Sequence, residues 1–123
     1  MVTSCVAFYP CVSLAETEKF YTEIIGLGLA FAGENSRIFS CGGGGYFGFV
    51  EYPEKRAEPG KLCLSLNCGS EKEVDEEYHR VIACGGKPQN EPAQHSTQPV
   101  YSFFLRDPSG YLVEFQKVMG TML

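Results

Sequence analysis

Apolar positions along the chain change period several times, and each change marks an element. Residues 3–9 form a short apolar run stopped by Pro10, which reads as a strand. Leu14, Phe20, Tyr21, Ile24 and Ile25 then recur at helical spacing, interleaved with Glu16, Glu18, Lys19 and Glu23. Ser13 stands where the N-cap of that helix belongs, and Gly26 and Gly28 end it. Leu29-Ala30-Phe31 and Arg37–Ser40 read as short strands. Gly42-Gly43-Gly44-Gly45 reads as a flexible turn and Tyr46–Tyr52 as a strong strand.

The charged, proline-bounded stretch 53–60 reads as a linker, and after it the programme repeats. Leu62–Cys68 is an apolar strand. Ser70 and Glu73 have capping-box spacing, and Val74, Tyr78, Val81 and Ile82 line one helix face up to Gly85-Gly86. Residues 87–99 read as a weak strand and a loop. Val100–Leu105 and Tyr111–Val118 form a hairpin. The order strand, helix, three strands thus occurs twice, over residues 1–58 and 59–123. Neither half buries both a sheet face and a helix alone, so the halves are expected to pair, within the chain or across a dimer.

Composition narrows the function classes. Hydrophobic residues make up 44% and charged residues 20% of 123, as in an ordinary globular chain. The net charge is −5 and no basic stripe occurs, so neither nucleic acid nor an anionic membrane surface is an expected partner. The N-terminus has no positive n-region and no long apolar run, so a cytoplasmic location is expected. Cys5, Cys11, Cys41, Cys63, Cys68 and Cys84 have no metal-finger spacing and no Cys-x-x-Cys, which points to free, buried thiols.

The hairpin carries the candidate chemistry. Asp107-Pro108-Ser109-Gly110 is a tight-turn sequence between apolar strands. Glu114 breaks the apolar pattern of the strand after it, and a carboxylate there needs a partner, a metal or water. Leu112, Glu114 and Gln116 share one strand face by alternation.

Taken in order, these segments resemble the vicinal oxygen chelate superfamily, the glyoxalase, bleomycin-resistance and extradiol dioxygenase group. The resemblance rests on Val12–Tyr21 with its Phe20-Tyr21 pair, on Ile25-Gly26-Leu27, on Leu64–Cys68 with Val74-Asp75, on Cys84–Lys87, and on Asp107–Gly110 followed by Glu114. It implies an α+β fold of two paired βαβββ modules forming a curved mixed sheet around a cleft, and a homodimer. In the group's metal enzymes four cleft positions carry ligands, two on first strands and two on last strands, and the metal acts as a Lewis acid. Here those positions fall near Val6, Gly48, Cys63 and on Glu114. Glu114 matches, the Cys63 thiol is a chemically admissible zinc ligand, and Val6 and Gly48 are not ligands. Glu51 joins the set only through a bulge. A divalent metal is therefore implied by the group but short of its usual ligands here.

Two roles remain open. One is a metal-poor module that binds a small molecule in the inter-module cleft, as in the bleomycin-resistance branch. The other is a lyase- or dioxygenase-like enzyme with Glu114 as metal ligand or general base. Tyr46, Tyr52, Tyr101 and Phe103 are aromatic candidates for stacking on a ligand, Cys63 is a candidate contact, and His95 is a candidate at the cleft rim. His79, within the second helix, reads as a surface residue.

Overall fold

The computed structural model describes every residue, Met1–Leu123. The chain divides into two compact units: Met1–Gly60 with the Pro108–Gly110 turn, and Lys61–Asp107 with Tyr111–Leu123. Each unit is a four-stranded mixed sheet with one helix, so the fold is α+β and comprises two sheets rather than one.

In the first unit, β1 (Ala7–Pro10) precedes α1 (Leu14–Lys19), then β2 (Gly28–Ala32), β3 (Ser36–Cys41) and β4 (Gly45–Val50). The strand order is β1-β4-β3-β2, with β1 parallel to β4 and the other pairs antiparallel. Ser13 caps α1, its Oγ accepting from the Glu16 N–H at 3.3 Å. The segment Phe20–Ile24, expected as continuous α-helix, is wound as a π-helix, and Gly26 ends it at φ 88°. Tyr21 from this segment packs on Phe39, Phe47 and Phe49, with ring centroids 5.2, 5.4 and 5.1 Å away. Tyr21, Phe39 and Phe49 are fully buried. Burial of each such ring contributes about 1.5–3 kcal/mol, so this cluster anchors the helix to one sheet face.

In the second unit, β5 (Cys63–Asn67) precedes α2 (Glu71–Ala83), β6 (Ala93–Gln94), β7 (Val100–Arg106) and β8 (Leu112–Val118). The strand order, β5-β8-β7-β6, repeats that of the first unit. Ser70 caps α2, accepting from Glu73 N–H at 3.1 Å, while the Glu73 carboxylate reaches back to the Gly69 N–H at 2.6 Å. The capping box is present with its return bond one residue earlier than usual. Tyr78 of α2 packs edge-on against Phe103, and Phe103 stacks on Phe115 at 5.0 Å, which defines the helix-side face of this sheet. The weak strand expected within 87–99 is only two residues long.

All six cysteines are free, but the expectation that they are buried holds only for Cys11; Cys5, Cys63 and Cys84 are exposed. No helix is long and apolar enough to cross a membrane.

Candidate functional site

Glu114 lies in the middle of β8, paired with Ser65 of β5 on one side and Phe104 of β7 on the other. Paired residues share a face, and neighbours alternate. Cys63, Ser65, Asn67, Leu112, Glu114 and Gln116 therefore line the face opposite α2. That face is polar where the helix side is apolar, and Gln116 donates across it to Asn67 at 2.9 Å.

Glu114 is only 7% exposed, so its carboxylate has lost most of its water. Replacement bonds converge on one oxygen. The Ser65 hydroxyl donates to Oε1 at 2.6 Å, and the Cys63 thiol lies 3.8 Å from the same atom. Oε2 has no hydrogen-bond partner in the chain, and no buried side-chain oxygen lacks one, so Oε2 keeps access to solvent. A buried carboxylate with one oxygen held and the other open is an acceptor awaiting a donor. Partial burial, the largest effect, pushes the Cys63 thiol up from its ordinary range. The Ser65 contact opposes this, the Glu114 charge adds to it, and Arg106 opposes it weakly. Cys63 is thus a protonated donor near neutrality, not a thiolate.

Several aromatic candidates lie elsewhere. Tyr101 and Phe103 sit on the helix side of their sheet, opposite Glu114, because the hairpin pairs Phe103 with Phe115 and Phe104 with Glu114. Phe103 is fully buried core. The Tyr101 hydroxyl donates to Asp75 of α2 at 2.6 Å, a bond that raises its pKa to about 12. Neither ring stands beside the carboxylate. Tyr46 is exposed on the face of the first sheet opposite α1, and Tyr52 lies beyond the end of β4. His95 is a structural acceptor: its Nδ1 takes the backbone N–H groups of Thr97 and Gln98, each at 3.1 Å, and so shapes the turn before β7. His79 is exposed on α2 against Tyr78.

The residues present do not fit a four-ligand divalent metal. No three His, Cys, Asp or Glu side chains converge anywhere in the chain. Glu51 belongs to the helix, not to a ligand set: its Oε1 accepts the Leu14 N–H at 2.9 Å and satisfies the first turn of α1. At Gly48, a Cβ would lie 2.7 Å from the Phe8 ring, so that position has no room for a ligating side chain. Ser65 is the site residue that sequence reasoning missed. Its signal was the polar alternation Cys63, Ser65, Asn67 along an otherwise apolar strand.

Comparison with known proteins agrees with this architecture. Residues 6–115 match the family model described as Glyoxalase/Bleomycin resistance protein/Dioxygenase superfamily. The chain is 30% identical over 105 residues to the 2,2',3-trihydroxybiphenyl dioxygenase of Sphingomonas paucimobilis, a match covering 81% of this chain and 36% of that protein. The chain therefore spans about a third of the length of that relative. Among solved structures, a glyoxalase/bleomycin resistance protein/dioxygenase from Nocardioides superposes with a TM-score of 0.77 at 19% identity, covering 99% of this chain and 87% of that one. A lactoylglutathione lyase from Agrobacterium tumefaciens gives 0.76 at 20% identity, covering 98% of each chain. With the βαβββ order occurring twice and the family match running from β1 into β8, the chain belongs to the glyoxalase/bleomycin resistance protein/dioxygenase superfamily.

Proposed function

We propose that this chain is a small-molecule-binding member of its family that recognises its ligand through Glu114 and without the family's full metal-ligand set. One observation carries the reading: Ser65 holds Oε1 of a largely buried carboxylate while Oε2 stays open. A ligand hydroxyl or N–H placed at Oε2 replaces water there with a charge-assisted hydrogen bond, stronger than a neutral one. Cys63 and Ser65, flanking the carboxylate on the same face, add weaker polar contacts.

The same geometry favours one second reading. If the ligand presents an acidic C–H or O–H to Oε2, Glu114 is a general base, and Ser65 stabilises one carboxylate oxygen while the other takes the proton. A thermal-shift panel of hydroxylated and amide-bearing small molecules, repeated with Glu114→Gln, tests both. The binding reading predicts hits that weaken in Glu114→Gln and are recovered chemically unchanged. Turnover of a hit that Glu114→Gln abolishes establishes the enzymatic reading instead. Hits indifferent to Glu114→Gln refute both.

A further inference from the structure

The sheet face that carries Glu114 holds one further charge. Of the positions that β5, β6, β7 and β8 contribute to it by register, only Glu114 and Arg106 are charged. Arg106, at the end of β7, pairs with Leu112, and Phe104 pairs with Glu114. These four positions form a quadrilateral, with the two charges on one diagonal and the two apolar side chains on the other. Diagonal neighbours on adjacent strands lie about 7–8 Å apart. Arg106 is exposed, and Phe104 and Leu112 are half-buried. Glu114 takes its bonds from Ser65 and Cys63, so the guanidinium is not a direct partner of the carboxylate. The cation is nevertheless close to the same groups: its charge favours the Cys63 thiolate, against the opposite effect of the Glu114 charge on that thiol.

We propose that Arg106 is a specificity-determining residue of the Glu114 site and selects hydroxycarboxylates, ligands in which an apolar body separates a hydroxyl from a carboxylate. The inference rests on Glu114 as the acceptor for the hydroxyl and assigns the other end of the ligand. Glu114 by itself disfavours an anion, and the net charge of −5 adds to that repulsion. A carboxylate at the Arg106 corner lies a full diagonal away from Glu114, and a guanidinium offers it two parallel N–H donors. The hydroxyl at the opposite corner donates to Oε2. Phe104 and Leu112 flank the line between the two ends, so the body of the ligand crosses apolar side chains, and a polar spacer there would lose hydration without replacement bonds.

The test uses three probes of one shape: 3-(hydroxymethyl)benzoate; 3-nitrobenzyl alcohol, in which an uncharged nitro group replaces the carboxylate; and 3-methylbenzoate, which lacks the hydroxyl. Each is titrated by calorimetry and ligand-observed NMR. The expected result is one saturable site per chain for 3-(hydroxymethyl)benzoate, with both other probes about threefold to fivefold weaker, as suits an exposed cation. About 0.5 M sodium chloride should remove most of its advantage over the nitro alcohol. Arg106→Gln, verified as folded by circular dichroism, should raise the Kd of 3-(hydroxymethyl)benzoate about threefold to fivefold and leave that of 3-nitrobenzyl alcohol within about twofold. No saturable binding of 3-(hydroxymethyl)benzoate overturns the proposal. So does an Arg106→Gln variant that affects both alcohols equally or neither. A nitro alcohol that binds equally well to Glu114→Gln refutes the role of Glu114 and this inference with it. A nitro alcohol that requires Glu114, with no preference for the carboxylate probe, refutes the role of Arg106 alone.

Discussion

Removing the Ser65 hydroxyl tests the candidate site most directly. Ser65→Ala deletes the donor at 2.6 Å from Glu114 Oε1 and leaves that oxygen only the thiol at 3.8 Å. A hydrogen bond to a charged group contributes about 1.5–3 kcal/mol. Ser65 is itself exposed, so water partly replaces the lost donor, and the lower end, about 1.5 kcal/mol, is the expected cost. In a chain of 123 residues this corresponds to a fall in Tm of roughly 5 °C. The assay is urea denaturation at pH 7 in a double-mutant cycle with Glu114→Met, which removes the acceptor while keeping an unbranched chain of similar length. In the Glu114→Met background, Ser65→Ala should change stability by less than about 0.5 kcal/mol, the usual limit of additivity. Equal costs in the two backgrounds would show that Ser65 acts through something other than the carboxylate, and the picture of Oε1 held by Ser65 would be wrong.

Three further outcomes follow from the same geometry. Gly48→Ala should destabilise by about 1–3 kcal/mol in chemical denaturation, because the new methyl meets both the Phe8 ring and the Arg37 carbonyl; a neutral result would mean the ring moves aside freely. Glu51→Ala should lower stability by about 1 kcal/mol through the first turn of α1, and it should leave the ligand response of the second unit unchanged. For Tyr101 the folded pKa lies near 12 against an ordinary 10, chiefly because of the bond to Asp75. Above the ordinary value the unfolded chain gives up this proton before the folded one does. The stabilisation is therefore complete below pH 10 and is lost as pH rises towards 12, and Tyr101→Phe should flatten that part of the stability curve. Solvent screening at this partly exposed ring keeps the effect small, and identical alkaline slopes in the two proteins would refute the assignment.

Local chemistry made much of the fold readable. Ser13 and Ser70 were identifiable as caps because an N-cap acts on groups two or three residues away, within one turn of chain. The Asp107–Gly110 turn and the two apolar runs around it announced the hairpin for the same reason, and Gly26 marked the end of the first helical segment. The π-wound turn at Phe20–Ile24 was not readable, since its side chains keep the spacing of an amphipathic helix. The face taken by Tyr101 and Phe103 was not readable, because alternation groups residues within a strand but does not say which group faces the helix. That choice followed from the pairing of Phe103 with Phe115 and from Tyr78 arriving on α2.

The amino-acid order by itself determined the doubled strand-helix-strand programme, the turn, and Glu114 as the odd carboxylate of the last strand. These depend on periodicity and on neighbours a few residues apart. Tertiary structure alone decided what Glu114 touches, that Glu51 serves a helix, and that Phe8 lies against Gly48. Ser65 and Glu114 are 49 residues apart in the chain, and a parallel register between β5 and β8 brings them face to face. A one-residue slip would turn every side chain of β5 to the other side of the sheet. Leu64 and Leu66, half-buried on the opposite face from Ser65, would be turned over with it, so the partner of the carboxylate is fixed together with the packing of both faces.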